Sequence, residues 1–225
     1  MASGYSHRMG TDKLLLPYKG KPLLEHTIDA IANCTFNQVI LVARDVKVIN
    51  LAKKKGLNVV KNNRAYIGQS QSIKLGIINS VPADGYMFFT GDQPMLTSNT
   101  INDLVQCFKF HRHFIIVPKF KLRPGSPVIF PKDYIKELLN LTGDTGGKSI
   151  INKNIDKISF LELKNQYTGQ NVEHAKLQFE TNRDPSETVF QFNKRFLVYF
   201  AVDHFEVYMT CLLYTSPSPR DGATS

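Results

Sequence analysis

A glycine-bounded segment with two basic side chains lies near the start of the sequence. It reads Ala2-Ser3-Gly4-Tyr5-Ser6-His7-Arg8-Met9-Gly10-Thr11-Asp12-Lys13. The two glycines allow the backbone to approach a phosphate chain closely, and the amides between them can point at its oxygens. Arg8 and Lys13 supply neutralising charge. The segment predicts a phosphate cradle, with a glycine-bearing surface turn as the alternative.

Two familiar phosphate-binding patterns do not explain this segment. No Gly-Lys-Ser or Gly-Lys-Thr closes it as in a P-loop, and the third glycine of the dinucleotide fingerprint is missing. A later run, Gly143 to Ser149, does contain Gly-Lys-Ser, but Thr142 stands where a P-loop needs its first glycine. We therefore exclude ATPase chemistry there. We expect Asp144 and Gly146 to cap and open the next helix, with Lys148 as a cation on the substrate side.

A carboxylate follows one of the apolar segments. Gly91-Asp92-Gln93-Pro94 comes directly after residues 86–90, which predict a buried strand. In open α/β sheets, ligands bind at the carboxyl ends of the strands, where an aspartate can hold a hard cation against phosphate oxygens. Pro94 restricts the backbone that follows and so helps to fix the carboxylate. We interpret Asp92 as a metal ligand, with a turn or helix-capping aspartate as the alternative.

A polar helix start lies between these two segments. Residues 68–76 predict a helix that begins at Ser70, and its free amides and hydroxyls can contact a nucleobase edge or a ribose. Helix capping explains Ser70 equally well. The segment by itself leaves both interpretations open.

Predicted strands and helices alternate as far as about Glu162, and this order predicts an α/β fold with parallel strands and helical crossovers. The predicted strands cover residues 37–43, 57–61, 86–90, 114–117, 128–130 and 157–163. The predicted helices begin near Pro22, Asp45, Ser70, Ser98, Lys132 and Gly146. A Pro/Gly-rich loop is expected at residues 118–127.

The charge balance of the chain is basic. Its 225 residues include 28 Lys and Arg against 19 Asp and Glu, a net charge of +9, and 42% are hydrophobic, as in a globular domain with a sizeable core. The charge favours an anionic partner such as a nucleotide or a phosphorylated cofactor. It is the sole argument for nucleic acid, since no base-reading module is recognisable.

Targeting and metal-binding signals are weak throughout. The apolar runs are too short to span a bilayer and no secretion signal is recognisable, so we predict a cytoplasmic protein without membrane contact. The three cysteines lack the spacing of a zinc site or a disulfide framework, and the six histidines form no ligand pattern.

The sequence beyond about residue 190 has a different character. It is rich in aromatic residues without a period, and residues 212–221 resemble translated sequencing-adaptor read-through. We therefore divide the chain into a domain of residues 1–189 and an irregular tail of residues 190–225, predicted to be non-native or disordered. The tail is excluded from the predicted fold.

Taken in order, these motifs resemble the MobA-like nucleotidyltransferases, and within that family the molybdenum cofactor cytidylyltransferases. The resemblance covers about residues 1–189 and rests on the segments 2–27, 68–76, 91–94, 124–127 and 141–147. It implies a Rossmann-like, three-layer, mostly parallel sheet. In the family an apolar strand precedes the first motif, and we expect this sheet to lack that first, central strand.

The resemblance further implies a reaction that joins CTP to molybdopterin, with release of pyrophosphate and with Mg²⁺ as cofactor. The implied catalytic residues are Arg8, Lys13 and Asp92. The implied nucleotide-binding residues are Ala2, Ser3, Gly4, Ser6, Arg8, Lys13, Ser70, Ser72 and Asp92. The metal would be held by Asp92 with Asp184 or Asn182, and the substrate-side contacts would come from Arg123, Gly125 and Lys148.

Other functions stay open at this point. One is a related nucleotidyltransferase that uses GTP or activates a sugar phosphate. Another is a non-enzymatic accessory protein that holds molybdenum cofactor for a molybdenum hydroxylase. For an enzyme, the attacking group would be the acceptor's own phosphate, so the protein needs only to position the reactants and neutralise charge. This agrees with the lack of a recognisable Ser-His-Asp or Cys-His set.

Overall fold

The computed structural model describes residues 13–120 and 123–163 fully, and residues 199–200 and 209–214 by their backbone. The strands of this part are β1 (Pro17–Tyr18), β2 (Lys21–Pro22), β3 (Gln38–Ala43), β4 (Asn58–Lys61), β5 (Gly85–Phe89), β6 (Ile115–Phe120), β7 (Arg123–Pro124), β8 (Val128–Pro131), β9 (Ile158–Glu162), β10 (Tyr199–Phe200) and β11 (Met209–Tyr214). The helices are α1 (Leu23–Ala32), α2 (Val46–Lys54), α3 (Gln69–Ile78), α4 (Ser98–Phe110), α5 (Ile135–Leu139) and α6 (Gly147–Lys153). Within these residues, no helix combines the length and the apolar character needed to cross a bilayer.

Most of the strands form one mixed sheet. Its longer strands lie in the order β4-β3-β11-β5-β8-β6-β9. Neighbours run parallel except around β8, which is antiparallel to both β5 and β6. The short strand β10 adds antiparallel to β3. The α/β fold predicted from the alternation of elements is therefore confirmed.

The predicted elements form for the local reasons that the sequence suggests. The apolar stripe of α1, which includes Leu24, Ile28 and Ile31, is buried against the core. Asp45 caps α2, because its Oδ1 accepts hydrogen bonds from the amides of Lys47 at 2.8 Å and Val48 at 3.1 Å. All five residues of β5 are buried, as expected of a strand covered on both faces.

Two local predictions differ from the structure. The expected loop at 118–127 is partly extended: β6 continues to Phe120, and β7 pairs with it through Phe120 and Arg123. The expected helix from Lys132 is a short 3-10 turn followed by α5, because Tyr134 turns into the core against Phe130. The first difference places Arg123, expected in the loop, on a strand.

The centre of the sheet is filled by a strand from the tail. The predicted fold excludes this region, whereas in the structure β11 lies between β3 and β5 and is parallel to both. The physical reason is that buried backbone N–H and C=O groups on the facing edges of β3 and β5 need hydrogen-bond partners. The domain boundary at residue 189 stays a prediction.

Candidate functional site

A buried ion pair lies at the carboxyl end of β5. Asp92 follows that strand after Thr90 and Gly91, and its Oδ2 accepts a hydrogen bond of 2.9 Å from Lys13 Nζ. The Asp92 side chain is 1% exposed and that of Lys13 is 10% exposed. The structure thus brings together two of the three predicted catalytic residues. Arg8, the third, lies outside the described residues.

The other carboxylate oxygen of Asp92, Oδ1, takes no part in the ion pair with Lys13. Among the described residues, Asp92 Oδ1 is buried and has no hydrogen-bond partner, and the same holds for the neighbouring amide oxygen, Gln93 Oε1. A buried acceptor without a donor costs about 1–3 kcal/mol, and more when it is charged. Two such oxygens on adjacent residues therefore mark a place where a bound cation or hydrogen-bond donor would be stabilised.

The loop that carries Asp92 is attached on both sides. Thr27 on α1 donates its hydroxyl to the carbonyl of Gly91 at 3.2 Å. On the other side, Gln93 Nε2 donates to the carbonyl of Ser126 at 2.9 Å. These contacts hold the carboxylate between α1 and the loop that leads into β8. Thr27 and Gln93 were not predicted as site residues, although they stand in segments 2–27 and 91–94, on which the family resemblance rests.

A small hairpin packs next to this loop. β1 and β2 pair through Tyr18 and Lys21, and the turn between them uses positive φ at Lys19 (46°) and Gly20 (83°). Tyr18 donates its hydroxyl to Met95 Sδ at 3.3 Å, three residues beyond Asp92. The chain that leads away from Lys13 therefore returns to the Asp92 loop.

The amino end of α3 is capped by a distant loop. The amide of Gln69 donates to Asp144 Oδ1 at 3.0 Å, and Ser70 donates its hydroxyl to the carbonyl of Gly143 at 2.6 Å. The expectation that Asp144 caps the helix after it is therefore wrong. α6 instead begins after Gly146, which makes no side-chain cap. Asp144 reaches α3 because the loop passes so close to it that only a glycine fits at position 68.

Ser72 is part of a buried polar link that sequence reasoning missed. Asn62 Nδ2 donates to Ser72 Oγ at 2.7 Å, and the amide of Asn62 donates to the carbonyl of Ala43 at 2.8 Å. Asn62 thus connects the carboxyl ends of β3 and β4 to α3. A polar residue directly after a strand, as Asn62 is after β4, was the available signal. Ser70 and Ser72 are 1% and 0% exposed, so their hydroxyls are buried at this edge.

The predicted substrate-side residues lie on β7, on the loop that follows it and on α6. Arg123 on β7 is exposed, and the amide of Gly125 donates to the carbonyl of Pro118 at 2.8 Å. Gly125 precedes Ser126, the residue that Gln93 contacts, so its loop neighbours the Asp92 loop. Lys148 is exposed in the first turn of α6. The predicted residues outside the described part are Ala2, Ser3, Gly4, Ser6, Arg8, Asn182 and Asp184.

The described residues fit a cation held chiefly by substrate oxygens. They include no group of three or more His, Cys, Asp or Glu side chains arranged to ligate a metal. The buried, unpartnered Asp92 Oδ1 is nevertheless a hard anionic oxygen of the kind that Mg²⁺ prefers. Mg²⁺ commonly binds through one or two carboxylates together with phosphate oxygens of a substrate. The donor set at Asp92 is compatible with that arrangement.

Known proteins with similar sequences include a family model and individual relatives. A MobA-like NTP transferase domain matches residues 1–158. A probable molybdenum cofactor guanylyltransferase of Thermococcus sibiricus is 29% identical over 121 residues, which are 54% of this chain and 60% of that protein. The purine catabolism protein PucB of Bacillus subtilis is 26% identical over 164 residues, covering 67% of this chain and 78% of PucB. The match thus spans only about three fifths of the Thermococcus protein's length.

Solved structures confirm the Rossmann-like α/β fold. Rv0371c from Mycobacterium tuberculosis superposes with a TM-score of 0.61 at 25% identity, covering 72% of this chain and 84% of that chain. A complex of Rv0371c with manganese gives a TM-score of 0.59 at 24% identity, covering 67% and 80%. Both similarities cover two thirds or more of this chain.

Proposed function

The chain belongs to the MobA-like NTP transferase family, and on that premise we propose that it is a nucleotidyltransferase that transfers a nucleoside monophosphate from an NTP to molybdopterin. Pyrophosphate is the second product. The observation that carries the proposal is the buried pair of Lys13 and Asp92, with Asp92 Oδ1 free to bind a cation. A cationic and an anionic group side by side are what a metal-bound triphosphate requires.

Lys13 and Asp92 have complementary roles in this proposal. Lys13 neutralises charge on the triphosphate, joined by Arg8 and by the amides of Ala2, Ser3, Gly4 and Ser6. Asp92 would hold Mg²⁺, with Asp184 or Asn182 as a second ligand. A cation held there would supply charge neutralisation at the phosphate oxygens. Two hydrogen bonds, from Thr27 to the Gly91 carbonyl and from Gln93 to the Ser126 carbonyl, hold the Asp92 loop in place while substrates exchange.

The transfer needs no nucleophile from the protein. A terminal phosphate oxygen of the acceptor attacks the α-phosphorus of the NTP, and the bond from that phosphorus to the oxygen bridging the α- and β-phosphates breaks. The electron pair leaves with pyrophosphate. The protein contributes positioning and charge neutralisation, which dominate catalysis of phosphoryl transfer generally. Arg123, Gly125 and Lys148 are proposed to contact the acceptor, and Ser70 and Ser72 to lie near the base or ribose.

We propose CTP as the nucleotide and GTP as the second candidate. The Gly91-Asp92-Gln93-Pro94 motif resembles that of the cytidylyltransferases, whereas the Thermococcus relative is named a guanylyltransferase. The two can be compared directly by the rise in melting temperature that each nucleotide causes with Mg²⁺ present, since a ligand that binds only the folded state stabilises it. If GTP raises the melting temperature more than CTP does, GTP is the nucleotide substrate and CTP is not.

The decisive experiment measures pyrophosphate release from the full chain with Mg²⁺, molybdopterin, and CTP or GTP. Asp92→Asn is expected to abolish release, whereas Asp103→Asn, a change of an exposed aspartate on α4, leaves it unchanged. No release from folded protein with either nucleotide would contradict the proposal. Pterin binding without turnover, unaffected by Asp92→Asn, would instead indicate an accessory protein that delivers the cofactor to a molybdenum hydroxylase.

A further inference from the structure

The side-chain amide of Gln93 is buried, and only its nitrogen is hydrogen-bonded. Gln93 is 1% exposed, and its Nε2 donates to the carbonyl of Ser126 at 2.9 Å. Among the described residues, its Oε1 has no hydrogen-bond partner. Because buried polar atoms in proteins are nearly always paired, this oxygen indicates that a group from outside the described residues binds here.

The orientation of the Gln93 amide follows from its partner. The carbonyl oxygen of Ser126 can only accept a hydrogen bond, so the amide nitrogen and not the amide oxygen must face it. The opposite orientation would place two acceptor oxygens against each other. The unpartnered atom is therefore an acceptor, and an N–H or O–H donor would satisfy it.

Anchoring of the Asp92 loop does not by itself account for a glutamine at position 93. The anchor needs one donor toward the Ser126 carbonyl, and on the other side of the loop Thr27 provides its anchor with a single hydroxyl. An amide supplies the donor but also buries an oxygen, which is unfavourable unless that oxygen is paired. The Gln93 oxygen therefore needs an explanation of its own.

The position of Gln93 at the sheet edge indicates which substrate it faces. On one side of β5 lie β3 and β4, whose carboxyl ends are linked to Ser72 of α3. On the other side lies β8, which is antiparallel to β5 and begins two residues after Ser126. Gln93 contacts this second side. The proposed nucleoside contact at Ser72 and the proposed acceptor contact at Gly125 thus lie on opposite sides of β5, and Gln93 is on the acceptor side.

The segment that Gln93 contacts lies at the protein surface. Arg123 and Pro124 are exposed, and Gly125 and Ser126 are half-buried. A substrate can therefore reach the Gln93 amide by displacing part of a surface loop, without opening the hydrophobic core. This access is on the side where the acceptor is proposed to bind.

We propose that Gln93 Oε1 accepts a hydrogen bond from an N–H group of the acceptor substrate, which makes Gln93 a specificity-determining residue. The inference rests on the proposed nucleotidyl transfer to molybdopterin, whose pterin ring carries N–H donors. An acceptor that lacks such a donor would leave the Gln93 oxygen buried and unpaired in the complex, and a site of this kind discriminates strongly against it. Gln93 makes and breaks no bond in the reaction.

The test separates the binding of the two substrates. Gln93→Met keeps a side chain of similar length but removes both polar atoms. In the full chain with Mg²⁺, the KM for molybdopterin is expected to rise at least about fivefold, while the KM for the NTP changes less than about twofold. Gln106→Met, at an exposed glutamine of α4, is the matched control and should leave both constants unchanged.

Thr27→Val shows what the loss of a loop anchor does by itself. It removes the hydrogen bond to the Gly91 carbonyl on the other side of the same loop. If Thr27→Val and Gln93→Met change the two KM values in the same proportion, Gln93 only anchors the loop and the proposal is overturned. Gln93→Asn, which is shorter by one methylene, should show the same selective rise in the KM for molybdopterin and serves if the Met variant does not fold.

The remaining outcomes distinguish this inference from the proposed function. An active Gln93→Met protein with an unchanged KM for molybdopterin would overturn the acceptor contact and leave nucleotidyl transfer in place. A selective rise in the KM for the NTP would assign the Gln93 oxygen to the nucleotide and likewise overturn the inference. No pyrophosphate release from the folded, unsubstituted chain would overturn the proposed function, and the acceptor contact with it.

Discussion

Lys13 Nζ lies 2.9 Å from Asp92 Oδ2, although the two residues are 79 positions apart in the chain. Lys13 is the last residue of the predicted phosphate cradle, and Asp92 follows the buried strand β5. Their contact joins the two segments that carry the chemistry into a single site. Both groups are almost completely buried, so each depends on the other for electrostatic compensation.

We predict that Lys13→Met lowers the rate of nucleotidyl transfer by roughly 100- to 1000-fold, because one preorganised charge that stabilises the transition state is lost. The measurement is the initial rate of pyrophosphate release at saturating Mg²⁺. Lys54→Met at the exposed end of α2 is the control and should change the rate less than twofold. A similar small effect at Lys13, in protein that is folded by circular dichroism, would contradict the prediction.

Asp92→Asn is expected to remove the response to divalent cation. The unsubstituted protein should gain thermal stability from an NTP only when Mg²⁺ is present, because both are needed to compensate the carboxylate and the phosphates. In Asp92→Asn the nucleotide-dependent rise in melting temperature should no longer depend on Mg²⁺. Asp103→Asn should behave like the parent, and an equal response in all three proteins would exclude Asp92 as the ligand.

Gly68→Ala should destabilise the fold more than Gly56→Ala. Both glycines have positive φ, 111° and 77°, so alanine is strained at each. At Gly68 a Cβ would also lie 2.6 Å from the backbone of Asp144, whereas at Gly56 it would meet open space. We expect the free energy of unfolding, measured by urea unfolding, to fall by about 1 kcal/mol in Gly56→Ala and by at least about 3 kcal/mol in Gly68→Ala. Equal losses of unfolding free energy in the two variants would mean that the backbone of Asp144 does not pack closely against Gly68.

The thiol of Cys34 should be slow to alkylate. Burial raises its pKa to about 11, and the thiolate is the reactive form. At pH 8 only about one thiol in a thousand would be ionised, so the labelling rate should rise about tenfold for each pH unit up to pH 10. Iodoacetamide labelling of the native protein, followed by peptide mass spectrometry at Cys34, measures this profile. A rate that levels off near pH 9 would contradict it.

The parts of the fold that were predictable are those set by short windows of sequence. The helix cap at Asp45 and the buried stripe of α1 follow from residues within one or two turns of each other. The strand before Asp92 likewise follows from a continuous apolar run. These features depend on backbone propensity and on which face is apolar, and both are local properties.

The candidate site was predictable only as separate segments. Glycine, cation and carboxylate patterns indicated that Lys13 and Asp92 carry chemistry, but nothing local says that Asn62 supports Ser72 or that Asp144 caps α3 and not α6. An aspartate near a helix start looks the same in sequence whichever helix it caps. The choice depended on how closely the loop at Gly143 packs against Gly68.

The amino-acid sequence alone determined the α/β class, the order of most elements and the residue types available for phosphate and metal chemistry, because propensity, periodicity and motif spacing act over a few residues. Only the tertiary structure decided that Lys13 contacts Asp92 and that Asp144 caps α3. Such contacts are long-range: they depend on which buried polar groups lack partners after the chain has packed, and that is a property of the whole fold.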